Sequence, residues 1–463
     1  MVDVVEPPEV HPGNVGVVGA GYVGLTTGIC FAELGYRVRV LEINKERVES
    51  LQAGEVPIYE LGLEDLLRKH LASGTITFTS EITDAIPQSD FVFLCVPTPP
   101  AADGSADTSY LRQASAEIGP HLLGDAVVIN KSTVPVGSTE IVFDQLGRTD
   151  VHVASNPEFL REGTAINDFM NPDRVVIGCA DLAIAERVAG LYGQLNAEMV
   201  LTDPASAELI KYASNAYLAT RLSFINAVAE VCEVLGGDVT QVARAIGLDS
   251  RIGPHFLKPG PGWGGSCFPK DTTALATMAE TGGFEFKFLR AVIDSNEQQF
   301  DRVATKALSM LADPLTEKVA VWGLAFKAGT DDTRQSPAIE IIERITGQGV
   351  SVVAYDPKAT VAIDGMTQVE SALEAATGAH VLLILTEWPE FAGADPAAVA
   401  NAMAGARVLD TRNIVDRDVW SDAGFMVRSI GRPSRAPAPP SRPFSTGSRT
   451  SLDPTTAAEQ PVR

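Results

Sequence analysis

Residues 15 to 41 constrain the fold more than any other stretch of the chain. Val15-Gly16-Val17-Val18 is short, apolar and β-branched, and Gly19 to Gly24 forms a tight turn. Leu25 to Leu34 suits a helix that Gly35 ends, and Arg37 to Leu41 resumes a strand pattern. The turn reads Gly19-Ala20-Gly21-Tyr22-Val23-Gly24, a GxGxxG between strand and helix. Gly19 permits the turn, Gly21 lets a pyrophosphate approach the backbone, and Gly24 lets helix and strand pack closely, while free N–H groups at the helix start face the phosphates. Alone the pattern is weak, since a glycine turn beside a surface glutamate also fits it. Here Glu42 ends the next strand, where a carboxylate accepts from a ribose 2′-hydroxyl and repels a 2′-phosphate. The expectation is a bound dinucleotide, NAD rather than NADP.

Further strand-helix units follow. Phe91 to Val96 and Ala126 to Ile129 are buried-type strands between helical segments, so the sheet is mostly parallel with helices on both faces. Near residue 203 the pattern changes. Asp203-Pro204 supplies an N-cap and a proline at the first helical position, and an Ala-, Leu- and Glu-rich helix then runs to Leu235 and stops at Gly236-Gly237. Its length predicts a spine between domains. A Gly/Pro-rich loop, Pro259 to Pro269, interrupts a second helical stretch. Alternation returns at Lys318 to Gly323, Val350 to Tyr355, Val381 to Leu385 and Val408 to Asp410, a second α/β domain without a GxGxxG. The predicted division is an N-terminal Rossmann-type domain over 1–202, a central helical region over 203–312, a second Rossmann-like α/β domain over 313–430, and a tail over 431–463. That tail is rich in Pro, Ser, Arg and Thr and cannot offset ordering entropy by burial, so disorder is expected.

Length and composition agree with several folded domains. A chain of 463 residues exceeds one hydrophobic core, and 45% hydrophobic with 21% charged residues is an ordinary folded balance. The net charge of −23 argues against a nucleic-acid partner, though local cations can still bind an anionic small molecule. Asp3, Glu6 and Glu9 are unlike a secretory signal, and no apolar run is long enough to span a membrane. The five cysteines are scattered and the six histidines show no HxxxH pair, so free thiols, no metal and a cytoplasmic setting are expected.

Several segments carry chemistry. Val96-Pro97-Thr98-Pro99-Pro100 and Ser132-Thr133-Val134-Pro135-Val136-Gly137 leave strand ends at the ligand-binding edge, and Thr98 and Thr133 offer hydroxyls there, although both are also ordinary proline turns. Glu158 and Glu162 share one face if their segment is helical, a pattern that a solvated helix also gives. Lys211 and Asn215 are four apart on the long helix in an apolar setting, which suits a partly buried site as well as a surface lysine. Cys30, Cys95, Cys179 and Cys232 sit in apolar patterns and behave as small hydrophobes. Cys267 instead follows Pro259-Gly260-Pro261-Gly262-Trp263-Gly264-Gly265-Ser266 and precedes Lys270 and Asp271. Glycines allow close approach to a ligand and neighbouring cations favour a thiolate, so Cys267 is the candidate nucleophile against the alternative of an inert loop thiol.

Together GAGYVG, KSTVPVGST, NPEFLREGTAI, ELIKYASNAY, SRIG, GPGWGGSCFPKD, GLAFKAGTDDTRQSPA and LDTRN, in this order over about residues 14 to 430, resemble the UDP-glucose/GDP-mannose dehydrogenase family. The resemblance implies a four-electron oxidation at C6 of a nucleotide-activated hexose with two NAD molecules in turn. Cys267 would form a thiohemiacetal and then a thioester, and Glu158 would act as base in its hydrolysis. Lys211, Asn215 and Asp271 would hold the oxyanion and a water, with Thr133 beside the first proton transfer. For the cofactor the resemblance implies Gly19, Gly21, Tyr22, Val23, Gly24, Glu42, Arg47, Thr98, Thr133, Glu162 and Arg334. For the nucleotide sugar it implies Glu158, Phe159, Leu160, Glu162, Lys211, Asn215, Phe256, Lys258, Gly264, Phe326, Lys327 and Arg412, with Arg251 supplied by a partner subunit in a homodimer built on the central helices. The 313–430 domain becomes the UDP-sugar-binding half. Two departures are small: VPTP stands where many members have asparagine before the threonine, and Glu42 replaces the commoner aspartate. Ser266 to Asp271 favours UDP-glucose over N-acetylhexosaminuronate-forming relatives and separates GDP-mannose poorly. Outside that activity stand a non-catalytic NAD and nucleotide-sugar sensor, which would need loss of these groups, and a two-electron dehydrogenase, in which Cys267 would be superfluous.

Overall fold

The computed structural model describes residues 13–435. Eight strands build the first sheet: β1 (Asn14–Val18), β2 (Arg37–Leu41), β3 (Ile76–Thr79), β4 (Phe91–Leu94), β5 (Val127–Asn130), β6 (His152–Ser155), β7 (Arg174–Gly178) and β8 (Glu198–Thr202). Their order is β3-β2-β1-β4-β5-β6-β7-β8, parallel except where β6 meets β7. β4 and β5 are buried at every position because helices cover both faces, which is why they read as unbroken apolar runs. Order reverses at β1, between β2 and β4, and this switch point opens the crevice into which the glycine turn and the Val96 to Pro100 loop project. The first helix spans Tyr22–Glu33, so Tyr22 and Val23, read from the sequence as turn, already belong to it.

Seven strands form the second sheet: β9 (Lys318–Trp322), β10 (Ser351–Tyr355), β11 (Met366–Gln368), β12 (Val381–Ile384), β13 (Arg407–Asp410), β14 (Met426–Ser429) and β15 (Arg432–Arg435). The order β11-β10-β9-β12-β13-β14-β15 repeats the reversal of the first sheet, now at β9. β15 pairs antiparallel with β14, so the sheet reaches past residue 430 into the start of the expected tail. From residue 436 onward that expectation lies outside the described residues.

Four helices connect the two sheets, Pro204–Leu235, Val239–Gly247, Phe268–Thr281 and Lys287–Leu308, and the first of them packs on both halves. Asp203 accepts from the Ser206 N–H at 2.8 Å, Pro204 opens the first turn, and Gly236 closes the helix at φ +79°. At 32 residues it is about 48 Å long. Ala207 packs where a Cβ on Gly178 of β7 would collide, Tyr212, Ala216 and Ala219 share a small core with Trp263 and Leu275, and Ile225, Ala229 and Cys232 join the core under β9. The helix is therefore a spine whose successive turns belong to different cores. No described helix is long and apolar enough to cross a membrane, and no described group of three or more His, Cys, Asp and Glu could hold a metal ion.

Candidate active site

At the β1 edge, Gly19 adopts φ +97° and its N–H donates to Leu41 O at 2.8 Å, setting the turn against β2. A Cβ on Gly24 would sit 1.9 Å from the Gly19 carbonyl, whereas one on Gly21 would meet nothing within 4 Å. Gly21 is also the N-cap of the first helix and supplies no side-chain acceptor, so the first-turn N–H groups look into open space. Glu42 is buried and accepts from the N–H groups of Ala20 at 3.0 Å and Asn44 at 2.9 Å, and Arg47 pairs with it at 3.4 Å. An open phosphate cradle beside a carboxylate at the end of β2 fits NAD. Tyr22 donates to Glu60 at 2.5 Å, and Val23 packs on the domain core. Thr98 is buried and donates to Thr133 O at 2.8 Å, while Ser132 donates to Val96 O at 2.7 Å. Thr98 thus laces two loops together and meets a ligand only as an acceptor.

The second domain shows the contrast. Asp356, at the position after β10 that matches Glu42 after β2, accepts from the N–H groups of Leu324, Ala325, Lys358 and Ala359 and from Trp388 Nε1. A Cβ on Gly323 would lie 2.0 Å from Thr386 Oγ1. The second turn is filled where the first is open.

Cys267 is the N-cap of the helix Phe268–Thr281. Lys211 Nζ donates to Glu158 Oε1 at 2.9 Å, both side chains being buried, and Glu158 Oε2 accepts from the Leu160 N–H at 2.6 Å. Asn215 Nδ2 donates to Asp271 Oδ2 at 2.6 Å, and Lys270 Nζ to Asp271 Oδ1 at 2.5 Å. Burial pushes Glu158 up, but the Lys211 charge and hydrogen bond, the Leu160 N–H and Lys131 outweigh it and hold the carboxyl below its ordinary range. Burial likewise opposes charge on Lys211, yet Glu158, Cys267 and Asp271 raise its pKa, so the pair stays ionised. For Cys267 burial wins: the thiol is pushed up, with Lys211 the main opposing influence and Ser266 Oγ 3.6 Å from Sγ. This corrects the expectation that neighbouring cations favour the thiolate. Lys270 is spent on Asp271, and the cation that acts on Cys267 comes from the long helix.

A second correction concerns Glu158 and Glu162, whose segment, Asn156 to Gly163, is not helical. Pro157 disfavours helix at Asn156, and the two carboxylates face different partners. Glu162 accepts from Ser266 Oγ at 3.2 Å and Thr330 Oγ1 at 3.1 Å and lies 3.5 Å from Arg334 Nη2, bridging the first domain to the cysteine loop and the second domain. Burial and the nearby Asp332 push it up to about 7. Arg334 is held mainly by Asp332, at 2.6 Å.

Other predicted residues line the same region. Phe159 lies under Arg174 at 3.9 Å and near Lys211 at 5.4 Å, and Lys327 sits over Phe326 at 5.4 Å, where burial lowers its pKa. A Cβ on Gly264 would lie 2.0 Å from Gln335 O, and one on Gly265 would touch the Phe326 ring. Arg412 donates to Leu385 O at 2.7 Å and Phe326 O at 3.2 Å and stands against Gly260. Phe256, at φ +57°, is 6.4 Å from Phe268, and Lys258 is exposed on the same loop. Arg251 is not brought into this group; it pairs with Asp249 at 2.6 Å on an exposed turn. Sequence reasoning missed Lys131, Glu60 and Thr330. Lys131 stood inside KSTVPVGST, and a lysine ending an apolar buried strand was its signal; Glu60, which accepts from the N–H groups of Gly163 and Ala165, had none.

Three domain models of the UDP-glucose/GDP-mannose dehydrogenase family match: the NAD binding domain over residues 13–196, the central domain over 205–298 and the UDP binding domain over 320–417. The chain is 42% identical over 447 residues to UDP-glucose 6-dehydrogenase TuaD of Bacillus subtilis, covering 94% of this chain and 96% of that one. Its fold is similar to a UDP-glucose dehydrogenase from the hyperthermophilic archaeon Pyrobaculum islandicum, with a TM-score of 0.85 at 37% identity over 93% of this chain and 100% of that one. A UDP-D-ManNAc dehydrogenase from Pyrococcus horikoshii is also similar, with a TM-score of 0.82 at 28% identity over 90% of this chain and 99% of that one.

Proposed function

Because this chain belongs to the UDP-glucose/GDP-mannose dehydrogenase family, we propose that it oxidises UDP-glucose at C6 to UDP-glucuronate with NAD, through a covalent adduct on Cys267. The observation that carries the covalent step is the placement of Cys267 among Lys211, Glu158, Asn215 and Asp271, groups drawn from separate segments into one buried cluster. Overall, one alcohol, two NAD and one water give a carboxylate, two NADH and three protons. Bound NAD supplies the electron sink for each oxidation, and Gly19 to Gly24 with Glu42 would hold it. Thr133 would position a water kept by Lys211, Asn215 and Asp271, and that water takes the hydroxyl proton as the aldehyde forms. Cys267 then passes its thiol proton to that water as Sγ bonds to C6 and the C=O π bond opens, and Lys211 with Asn215 holds the resulting oxyanion. After the second oxidation Glu158 takes a proton from water while the water oxygen bonds to C6 and the C–S bond breaks, returning sulfur to Cys267.

The substrate reading rests on relatives. The protein sharing 42% identity is a UDP-glucose dehydrogenase, while the N-acetylmannosamine enzyme shares 28%. Lys327 and Arg412 stand at strand ends of the UDP binding domain, where they can meet a diphosphate. A second copy of this chain is the proposed partner. Tyr217, Phe224 and Val231, seven apart on the long helix, are each more than half exposed, an apolar stripe that a homodimer would cover and that would let Arg251 reach the partner's cleft. A cytoplasmic setting fits the unpaired cysteines.

The test is to offer UDP-glucose, GDP-mannose and UDP-N-acetylglucosamine separately and count NADH per sugar. Two equivalents from UDP-glucose are expected, and Cys267→Ser should still bind NAD while losing turnover to acid. One equivalent with released aldehyde, or full activity in Cys267→Ser, overturns the covalent mechanism.

A further inference from the structure

One buried cation takes no part in the steps above. Lys131 follows β5 and is 4% exposed. Its Nζ donates to Asn156 Oδ1 at 2.9 Å and lies 3.3 Å from Tyr192 Oη, which itself donates to Asn156 Oδ1 at 2.6 Å. Asn156 Nδ2 donates to Val176 O at 2.7 Å, and its backbone N–H to Asn130 O at 2.9 Å. The residue that opens the Glu158 loop is thus fixed on every side, and Lys131 is the only charged member of the clamp. Lys131 and Glu158 also line one cavity of about 40 Å³, together with Phe159, Asp168, Phe169 and Arg174.

A lysine without a counter-ion in contact is costly to bury, and here its hydrogen bonds go to Asn156 and Tyr192 rather than to the cysteine cluster. We infer that Lys131 is a positioning residue for the hydrolytic half of the reaction: through Asn156 it sets the Glu158 loop, and its charge keeps Glu158 ready to take a proton from water. This rests on the covalent reading above. The groups whose charge bears on Lys131 near neutral pH are Glu158 and Lys211 from the long helix, while Cys95 after β4 and Cys30 from the first helix, both pushed up to about 12 by burial, stay neutral thiols. Burial brings Lys131 down to about 8, Glu158 opposes that fall, and the charge is present at neutral pH. Lys131 in turn is one of the influences that hold Glu158 below its ordinary range.

Three variants separate charge from packing. Lys131→Met removes charge and donor, Lys131→Gln keeps a donor for Asn156 without charge, and Lys131→Arg keeps the charge. Each is mixed with UDP-glucose and NAD across pH 4 to 9, quenched during turnover and weighed as intact protein. In Met and Gln the acid limb of acid formation should move up by roughly one pH unit, since Glu158 then protonates more readily. Toward the acid end of that range a sugar adduct on Cys267 should accumulate up to several-fold over wild type, because its formation does not need Glu158. Arg should restore the wild-type limb. An unmoved limb without extra adduct in Gln overturns the proposal even where Met fails to fold. Failure of both Gln and Arg to fold also overturns it, leaving Lys131 a packing role. If wild type itself yields no adduct at any pH, the covalent reading fails first and this inference falls with it.

Discussion

Two glycines three apart in one motif carry opposite consequences. Gly24→Ala would drive a Cβ to 1.9 Å from the Gly19 carbonyl, a backbone atom that cannot yield, so the helix must lift from β1. A loss of about 1–3 kcal/mol is expected, read as a lower urea midpoint. Gly21→Ala meets nothing within 4 Å at an ordinary φ of −76°, so its urea midpoint should match wild type. The added methyl instead enters the space above the helix N-terminus, and calorimetry should find NAD bound at least about tenfold more weakly. Equal NAD affinity in Gly21→Ala would show that the pyrophosphate lies elsewhere. The motif already assigns Gly21 to the pyrophosphate and Gly24 to helix–strand packing; the distance to the Gly19 carbonyl shows which backbone atom enforces the second role.

At the scale of elements, the long helix was readable at both ends, from Asp203-Pro204 to Gly236, because capping is local chemistry. What each turn packs against was not readable, since its apolar residues serve several cores and one stripe faces outward. Phe224→Asp places a charge at the middle of that stripe on a residue outside the core clusters. The expected outcome is a folded monomer by light scattering, against the dimer proposed for wild type, with NAD affinity retained and turnover lost. Monomeric wild type would instead leave Arg251 without a role. The segment from Asn156 to Gly163 was left open by the sequence, since the four-residue spacing puts Glu158 and Glu162 on one face only in a helix; Pro157 and the capture of the Gly163 and Ala165 N–H groups by Glu60, about a hundred residues earlier, go with a non-helical course.

In the whole molecule, two sheets of matching strand order face each other through the cysteine loop, and Glu162 ties first domain, loop and second domain together. Its raised pKa means that the folded state holds this proton more tightly than the unfolded chain. The unfavourable contribution is absent below the unfolded value, near 4.5, grows as the pH rises toward about 7, and is complete above that. Glu162→Gln cannot ionise and should be more stable than wild type at pH 8 by about 1–3 kcal/mol, a gain that shrinks as the pH falls toward 4.5. A pH-independent difference in unfolding midpoint contradicts this. The sequence by itself determined the strand-helix alternation, the glycine turn with Glu42, the helix caps and the odd cysteine, because each depends on neighbours within a few residues or on periodic burial. Tertiary structure alone decided that Lys211, not Lys270, is the cation acting on Cys267, that Asp356 closes the second turn while Glu42 leaves the first open, and that Lys131 stands beside Glu158. Those outcomes depend on which distant groups share a buried space, and there burial and short charge separations override whatever the local spacing suggests.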